Sequence, residues 1–241
     1  MPPPEVLGLK FFRASFAFTL AEVLVTLGII GIVAALTIPT LVKKYQQHLF
    51  VDKVKQTYSL VSNAMLASAA QNGTPDQWLY VTLDGKDENY VQNFSNHMKE
   101  TATKYFKPYL KTIGEGNENF GYYLILQNGV TLYFYPDGNF NNYTDKIFSQ
   151  TRFFIVGSIN NNHSYWLDQS RDYSRKDFVM EINKNYKTPK VSLFCSNDDI
   201  KKITDESGYR CNKNNIKNQR ACCAALLQKN GWRITKDYPW D

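Results

Sequence analysis

The chain has 241 residues, of which 43% are hydrophobic and 21% charged; this ordinary globular usage argues against a chain disordered throughout and leaves room for one sizeable domain plus an appendage. The net charge of +6 is spread thinly, without a dense Lys/Arg block, so nucleic acid is not the expected partner. Aromatic residues make up 15%, which favours a β-containing folded part.

Residues 1–17 hold three consecutive prolines and then Lys10 and Arg13 just ahead of an apolar run. That pattern fits a removable basic leader better than a folded element. From Phe18 to Val42 the chain is apolar apart from one charge, Glu22, and Lys43 and Lys44 close the run. At the helical rise such a segment spans about 38 Å, enough to cross a bilayer core with some tilt. A carboxylate inside an apolar helix costs roughly 2.5–3.5 kcal/mol near a bilayer centre unless a cation meets it. Near the helix start it can instead reach the headgroups. An ordinary secretory signal, cleaved after Val33-Ala34-Ala35, is the competing reading, but its apolar region is shorter and has no use for Glu22.

Phe18-Thr19-Leu20-Ala21-Glu22 followed by an uninterrupted apolar helix resembles the prepilin signature of type IV pilins and type II secretion pseudopilins. The resemblance implies cleavage between Ala17 and Phe18 by a prepilin peptidase and N-methylation of Phe18. It also implies a role for Glu22 in assembly, pairing with the methylated amine of a neighbouring subunit. Where the family usually has Gly before the cut, this chain has Ala17. The implied partners are copies of itself and other pilin-like subunits, the peptidase, an inner-membrane assembly platform and the lipid bilayer. The implied location is a bacterial inner membrane, single-pass, N-terminus cytoplasmic and C-terminal domain outside, with filament or cell surface after assembly. Basic residues after the span (Lys43, Lys44, Lys53, Lys55) outnumber those before it. Charge alone would therefore put the C-terminal part inside, whereas the motif and the cysteines put it outside. Pro39 removes one helix hydrogen bond late in the run. Gly28, Gly31 and Ala35 make one smooth face for helix packing.

After Lys44, Phe50, Val54, Tyr58, Val61, Met65 and Ala69 recur at helical spacing, which predicts an amphipathic continuation of the same helix. Asn72-Gly73 supplies a stop. The predicted organisation is a leader over 1–17, a transmembrane half-helix over 18–42, an amphipathic half over 43–72 and a globular α+β head over 73–241. In the head, a second helix is expected from Asn89 to Ile113, interrupted by Pro108. Gly121–Leu126 and Val130–Tyr135, joined by Asn128-Gly129, predict a β-hairpin. Further strands are expected over Arg152–Ile159, Phe178–Ile182 and Val191–Cys195, and a short C-terminal helix ending at Gly231. The fold class is α+β, a long N-terminal helix on an antiparallel sheet, which is also the layout the pilin resemblance implies.

Cys195, Cys211, Cys222 and Cys223 form no C-x-x-C pair and read as disulfides of an exported domain. Adjacent Cys222 and Cys223 do not pair with each other without strain. That leaves Cys195–Cys222 with Cys211–Cys223, or Cys195–Cys223 with Cys211–Cys222. No nucleotide loop, zinc-protease or hydrolase signature occurs, and His48, His97 and His163 are scattered, so no enzyme activity and no cofactor are expected. Two oxygen-donor sets in loops, Asp137, Asn139, Asp145 and Asp198, Asp199, Asp205, are candidates for calcium, against a reading as Asx turns. Trp232, Tyr238 and Trp240 either anchor the tail on the domain or offer a partner surface. Besides the filament subunit, two alternatives remain. One is a minor pilin binding DNA or a surface. The other is a single-span anchored extracytoplasmic protein with no filament role.

Overall fold

The structure is a computed structural model that describes residues 19–78, 89–118, 121–136, 152–159, 171–183 and 187–240. The leader, Ala17, Phe18, His163 and the candidate set Asp137, Asn139 and Asp145 lie outside the described residues. The chain divides into two compact units, one ending at Tyr45 and one running from Gln46 to the C-terminus. The amphipathic half of the first helix thus belongs to the same unit as the sheet.

Helix α1, Leu20–Asn72, continues through Pro39 and stops where Gly73 adopts a left-handed φ of 75°. In the second unit its buried stripe is Phe50, Val51, Val54, Thr57, Val61, Ala64, Met65 and Ser68. Tyr58 and Ala69 are only half-buried, because the stripe centres on Thr57 and Ser68, small hydroxyl residues that an apolar count passes over.

The second helix is shorter than the sequence pattern suggests. Helix α2 spans Tyr90–Tyr105, a single turn of 3-10 helix follows at Lys107–Tyr109, and Ile113 lies in a strand. Pro108 explains the stop, since it has no N–H to donate to the Lys104 carbonyl and its ring would clash there if the α-helix continued. Strand β1, Thr112–Glu118, was not expected. It carries two glycines and two glutamates, and as an edge strand it needs little apolar patterning.

Among the described residues six strands form one antiparallel meander in the order β1-β2-β3-β4-β5-β6. The others are β2 Gly121–Leu126, β3 Thr131–Pro136, β4 Arg152–Ser158, β5 Asp177–Asn183 and β6 Ser192–Leu193. The hairpin at Asn128-Gly129 is present. Gly129 has a φ of 82° and donates to the Leu126 carbonyl at 2.9 Å. Only the middle of the expected Val191–Cys195 strand is extended, because the chain turns at Phe194 and Cys195 takes a φ of 68°.

One sheet face, with Leu124, Leu132, Phe134, Ile155, Phe178 and Met180, joins the α1 stripe, Met98 and Ala102 of α2, Phe106 just after it, and the helix Cys223–Lys229 in the main core. Lys53 and Tyr58 add polar ties, donating to the carbonyls of Asn128 and Val191. The opposite face is also buried. It holds Tyr133, Tyr135, Phe154, Val156 and Tyr173 around a fully buried Arg171, whose guanidinium donates to Asp177 at 3.1 Å. The guanidinium also lies 4.8 Å from the Tyr133 ring centre. Burial pushes the Asp177 carboxyl up, with Arg171 opposing the shift. A buried cation of this kind is tolerated only when paired.

Two outcomes follow from this packing. Gly157 on β4 sits under the Phe178 ring, whose Cζ occupies the space an added Cβ would need. Gly157→Val should therefore lower stability by about 1–3 kcal/mol, read as a drop in denaturation midpoint; an unchanged midpoint would contradict the packing. His97 on α2 is half-buried, its Nδ1 has no partner among the described residues, and burial lowers its pKa below the ordinary 6.5 while Glu100 partly opposes this. The fold therefore favours the neutral ring. Stability should be fully present above the unfolded pKa and fall as pH drops through the depressed folded value. A pH series of thermal melts should show less acid sensitivity in His97→Gln.

Candidate functional site

Two regions carry the residues that the sequence singles out. The first is the start of α1. Thr19 is its N-cap, and its hydroxyl accepts from the Glu22 amide at 3.2 Å. Glu22 Oε2 accepts in return from the Thr19 amide and the Thr19 hydroxyl, both at 2.8 Å. This is a capping box, in which two orphan donors of the helix start are satisfied reciprocally. The signal was present as Thr-x-x-Glu ahead of an apolar run, but attention to the charge alone misses it. Among the described residues Oε1 accepts no hydrogen bond.

Beyond this cap the helix is apolar all round. Large apolar side chains from Leu20 to Val42 are 41–78% exposed. Covering even half of that area stabilises roughly 1 kcal/mol per side chain, on the order of 10 kcal/mol in all, which rivals the whole stability of a typical domain. The segment is long and apolar enough to cross a membrane. Two of its hydroxyls pair within the helix, Thr26 with the Val23 carbonyl at 3.0 Å and Thr37 with the Val33 carbonyl at 2.9 Å. Such self-pairing is what an apolar medium demands. Gly28 and Gly31 have nothing within 4 Å of an added Cβ, and Ala35 is exposed. Pro39 offers no N–H to the Ala35 carbonyl one turn earlier.

The second region is the C-terminal part of the head. Disulfides join Cys195 to Cys222 and Cys211 to Cys223, with Cα separations of 5.4 and 4.7 Å. Helix α3, Ile200–Ile203, is capped by Asp199, which accepts from the Lys202 amide at 2.7 Å. Helix α4, Cys223–Lys229, ends in a Schellman motif. Trp232 donates to the Leu227 carbonyl at 2.7 Å and Gly231 to the Gln228 carbonyl at 3.1 Å, with Gly231 at a φ of 64°. Buried Arg220, which no local pattern marked, holds the carbonyls of Lys213, Asn215 and Pro239.

The aromatic tail is anchored on the domain. Trp240 meets Phe50 of α1 at 5.7 Å, Trp232 meets Tyr58 at 6.1 Å, and the buried Tyr238 hydroxyl donates to the Ser174 carbonyl at 2.9 Å. In the second calcium set the carboxylates do not converge. Asp198 pairs with Lys202 and Arg210, Asp199 caps α3, and Asp205 accepts from the Glu206 amide. Among the described residues no three of His, Cys, Asp and Glu come together to hold a metal.

Residues 40–241 match a family of unknown function, DUF6613, and the chain belongs to that family. The matched range starts just after Pro39 and takes in the end of the apolar run, the amphipathic half of α1 and the whole head. No curated protein and no solved structure matches the chain.

The cap has a measurable consequence. Thr19→Ala should cost about 1 kcal/mol locally, so first-turn amides such as that of Glu22 should exchange with solvent about fivefold faster. Hydrogen exchange on the detergent-solubilised chain reads this directly, and unchanged protection would remove the capping role.

Proposed function

We propose that this member of DUF6613 is a pilin-like structural subunit, held in the membrane by the first half of α1 until it is processed and assembled. The carrying observation is the exposed apolar helix with a single carboxylate at its start, Glu22, four residues after Phe18. Such a surface needs lipid or a neighbouring helix to cover it, and the small face of Gly28, Gly31 and Ala35 allows close approach. Both local hydrogen bonds of Glu22 go to Oε2, which leaves Oε1 for a cation from another chain. In an apolar surrounding an amine is the partner that relieves the buried carboxylate. On this reading cleavage between Ala17 and Phe18 releases the leader, Phe18 carries the methylated amine, and the domain begun by the second half of α1 is displayed outside. The cystine pair is consistent with an oxidising compartment.

A second reading is a single-span anchored extracytoplasmic protein with no filament role. The capping box favours it, because Glu22 then needs no partner beyond Thr19. One experiment separates the two. The chain is co-produced with a prepilin peptidase and its N-terminus read by mass spectrometry. The filament reading expects a start at Phe18 bearing one added methyl. It also expects Glu22→Val to reduce recovery in sheared surface filaments at least about tenfold while membrane content is unchanged. A chain that keeps Met1, or that starts near Pro39, overturns the processing step. Processing at Phe18 with full indifference to Glu22→Val leaves the anchor and removes the assembly role.

A further inference from the structure

The two cystines stand side by side through Cys222 and Cys223, yet their surroundings differ. Cys211 and Cys223 are each 0% exposed and belong to the main core. Cys211 touches the floor of a polar hollow beside Glu206 and Asn212, but presents no accessible surface there. Cys195 is half-buried. With Cys222 it lines an open cleft of about 510 Å³ whose walls include Arg152, Glu181, Asp198 and Arg210.

The chemistry at this cleft is asymmetric. Arg210 Nη1 lies 3.9 Å from Cys222 Sγ and also pairs with Asp198, which accepts from Lys202 at 2.8 Å. Asp198 is thus shared between Arg210 and Lys202, while the Arg210 guanidinium stays beside the Cys222 sulfur. Across the cleft, Arg152 and Glu181 at 3.7 Å offset each other. A cation beside a sulfur stabilises the thiolate and makes it the better leaving group. Cys222 itself is 1% exposed, so an incoming nucleophile reaches Cys195 first. The Cys195 backbone, at a φ of 68°, is in a region that residues other than glycine rarely occupy. Loss of the link lets it relax.

We propose that Cys195–Cys222 is a thiol–disulfide exchange site for an external dithiol, and that Cys211–Cys223 is the permanent structural link. A thiolate of the dithiol attacks Cys195 Sγ and forms a mixed disulfide. The bond to Cys222 breaks, and its electron pair stays on Cys222 Sγ beside Arg210. The second thiol of the donor, as thiolate, then attacks the donor sulfur of the mixed disulfide and displaces the Cys195 thiolate. The dithiol leaves oxidised to a disulfide, and the protein has gained two electrons and, after protonation, two thiols. Opening frees the turn after β6 from the start of α4, which Cys211–Cys223 continues to hold. The inference does not depend on the filament reading, since it rests only on the head.

The test is graded reduction of the full chain in detergent micelles with dithiothreitol, quenched by alkylation and mapped by peptide mass spectrometry. Cys195 and Cys222 should be alkylated as a pair at least about tenfold faster than Cys211 and Cys223. A monothiol trap should leave its adduct on Cys195. Arg210→Gln should slow the opening several-fold, and Arg210→Lys should restore most of the rate. Equal rates for the two cystines, earlier opening of Cys211–Cys223, or an adduct on Cys222 overturns the proposal. So does an Arg210→Gln rate equal to that of the natural chain. Should Arg210→Gln unfold the head, the order of opening and the adduct position in the natural chain still decide. In a parallel arm with a Cys-x-x-Cys protein, faster opening per thiol than with dithiothreitol identifies a protein donor, and slower opening a small one. Opening by neither removes the site.

Discussion

The folded unit depends on the seating of α1's buried stripe, Phe50 to Ser68, against one face of the sheet. Leu124, Leu132, Phe134, Ile155 and Met180 share the main core with the stripe and with α2. Each large apolar side chain buried contributes roughly 1.5–3 kcal/mol. Half a dozen therefore amount to about the whole net stability of an ordinary domain. Asn128 of the hairpin and Val191 before β6 are tied to the helix by Lys53 and Tyr58. The C-terminal tail closes on the same helix through Trp240 and Phe50, so the two ends of the unit meet on one element.

The reverse face is stabilised differently. Its tyrosines surround a buried Arg171–Asp177 pair, and burial raises the phenol pKa values of Tyr133, Tyr135 and Tyr173, which keeps the hydroxyls protonated. Buried charge of this kind adds little net stability, but loss of one partner is expensive. The arrangement therefore acts more on which structure forms than on how stable it is. The cystines and Arg220 do similar work for the long irregular stretch between β6 and α4, where little regular structure holds the backbone.

The first half of α1 follows another logic. Its large apolar side chains are exposed among the described residues, while Thr19 and Glu22 satisfy the first turn and Thr26 and Thr37 pair with backbone carbonyls. Hydroxyls that turn back on their own backbone in this way suit an apolar surrounding, whether lipid or other helices. Glu22 is then the one group whose partner can change with surroundings. The capping box and the proposed assembly role are therefore compatible uses of one carboxylate.

Local chemistry was legible throughout. The apolar run, the helical period after Lys44, the stop at Asn72-Gly73, the Asn128-Gly129 turn and the Gly231 helix end all arise from interactions within a few residues, and composition records those directly. The disulfide partners were narrowed to two pairings but not chosen, because adjacent cysteines differ only in where the folded backbone points them. Strand β1 was invisible because its edge position rests on pairing with β2 and not on its own side chains. Pro108 was visible, yet whether it ends the helix or only kinks it depended on the strand that follows. The buried Arg171, the Arg220 staple and the placement of Arg210 beside Cys222 lay beyond local reading altogether. Each joins residues distant in sequence, and a charged side chain shows its partner only once the fold has removed the water around it.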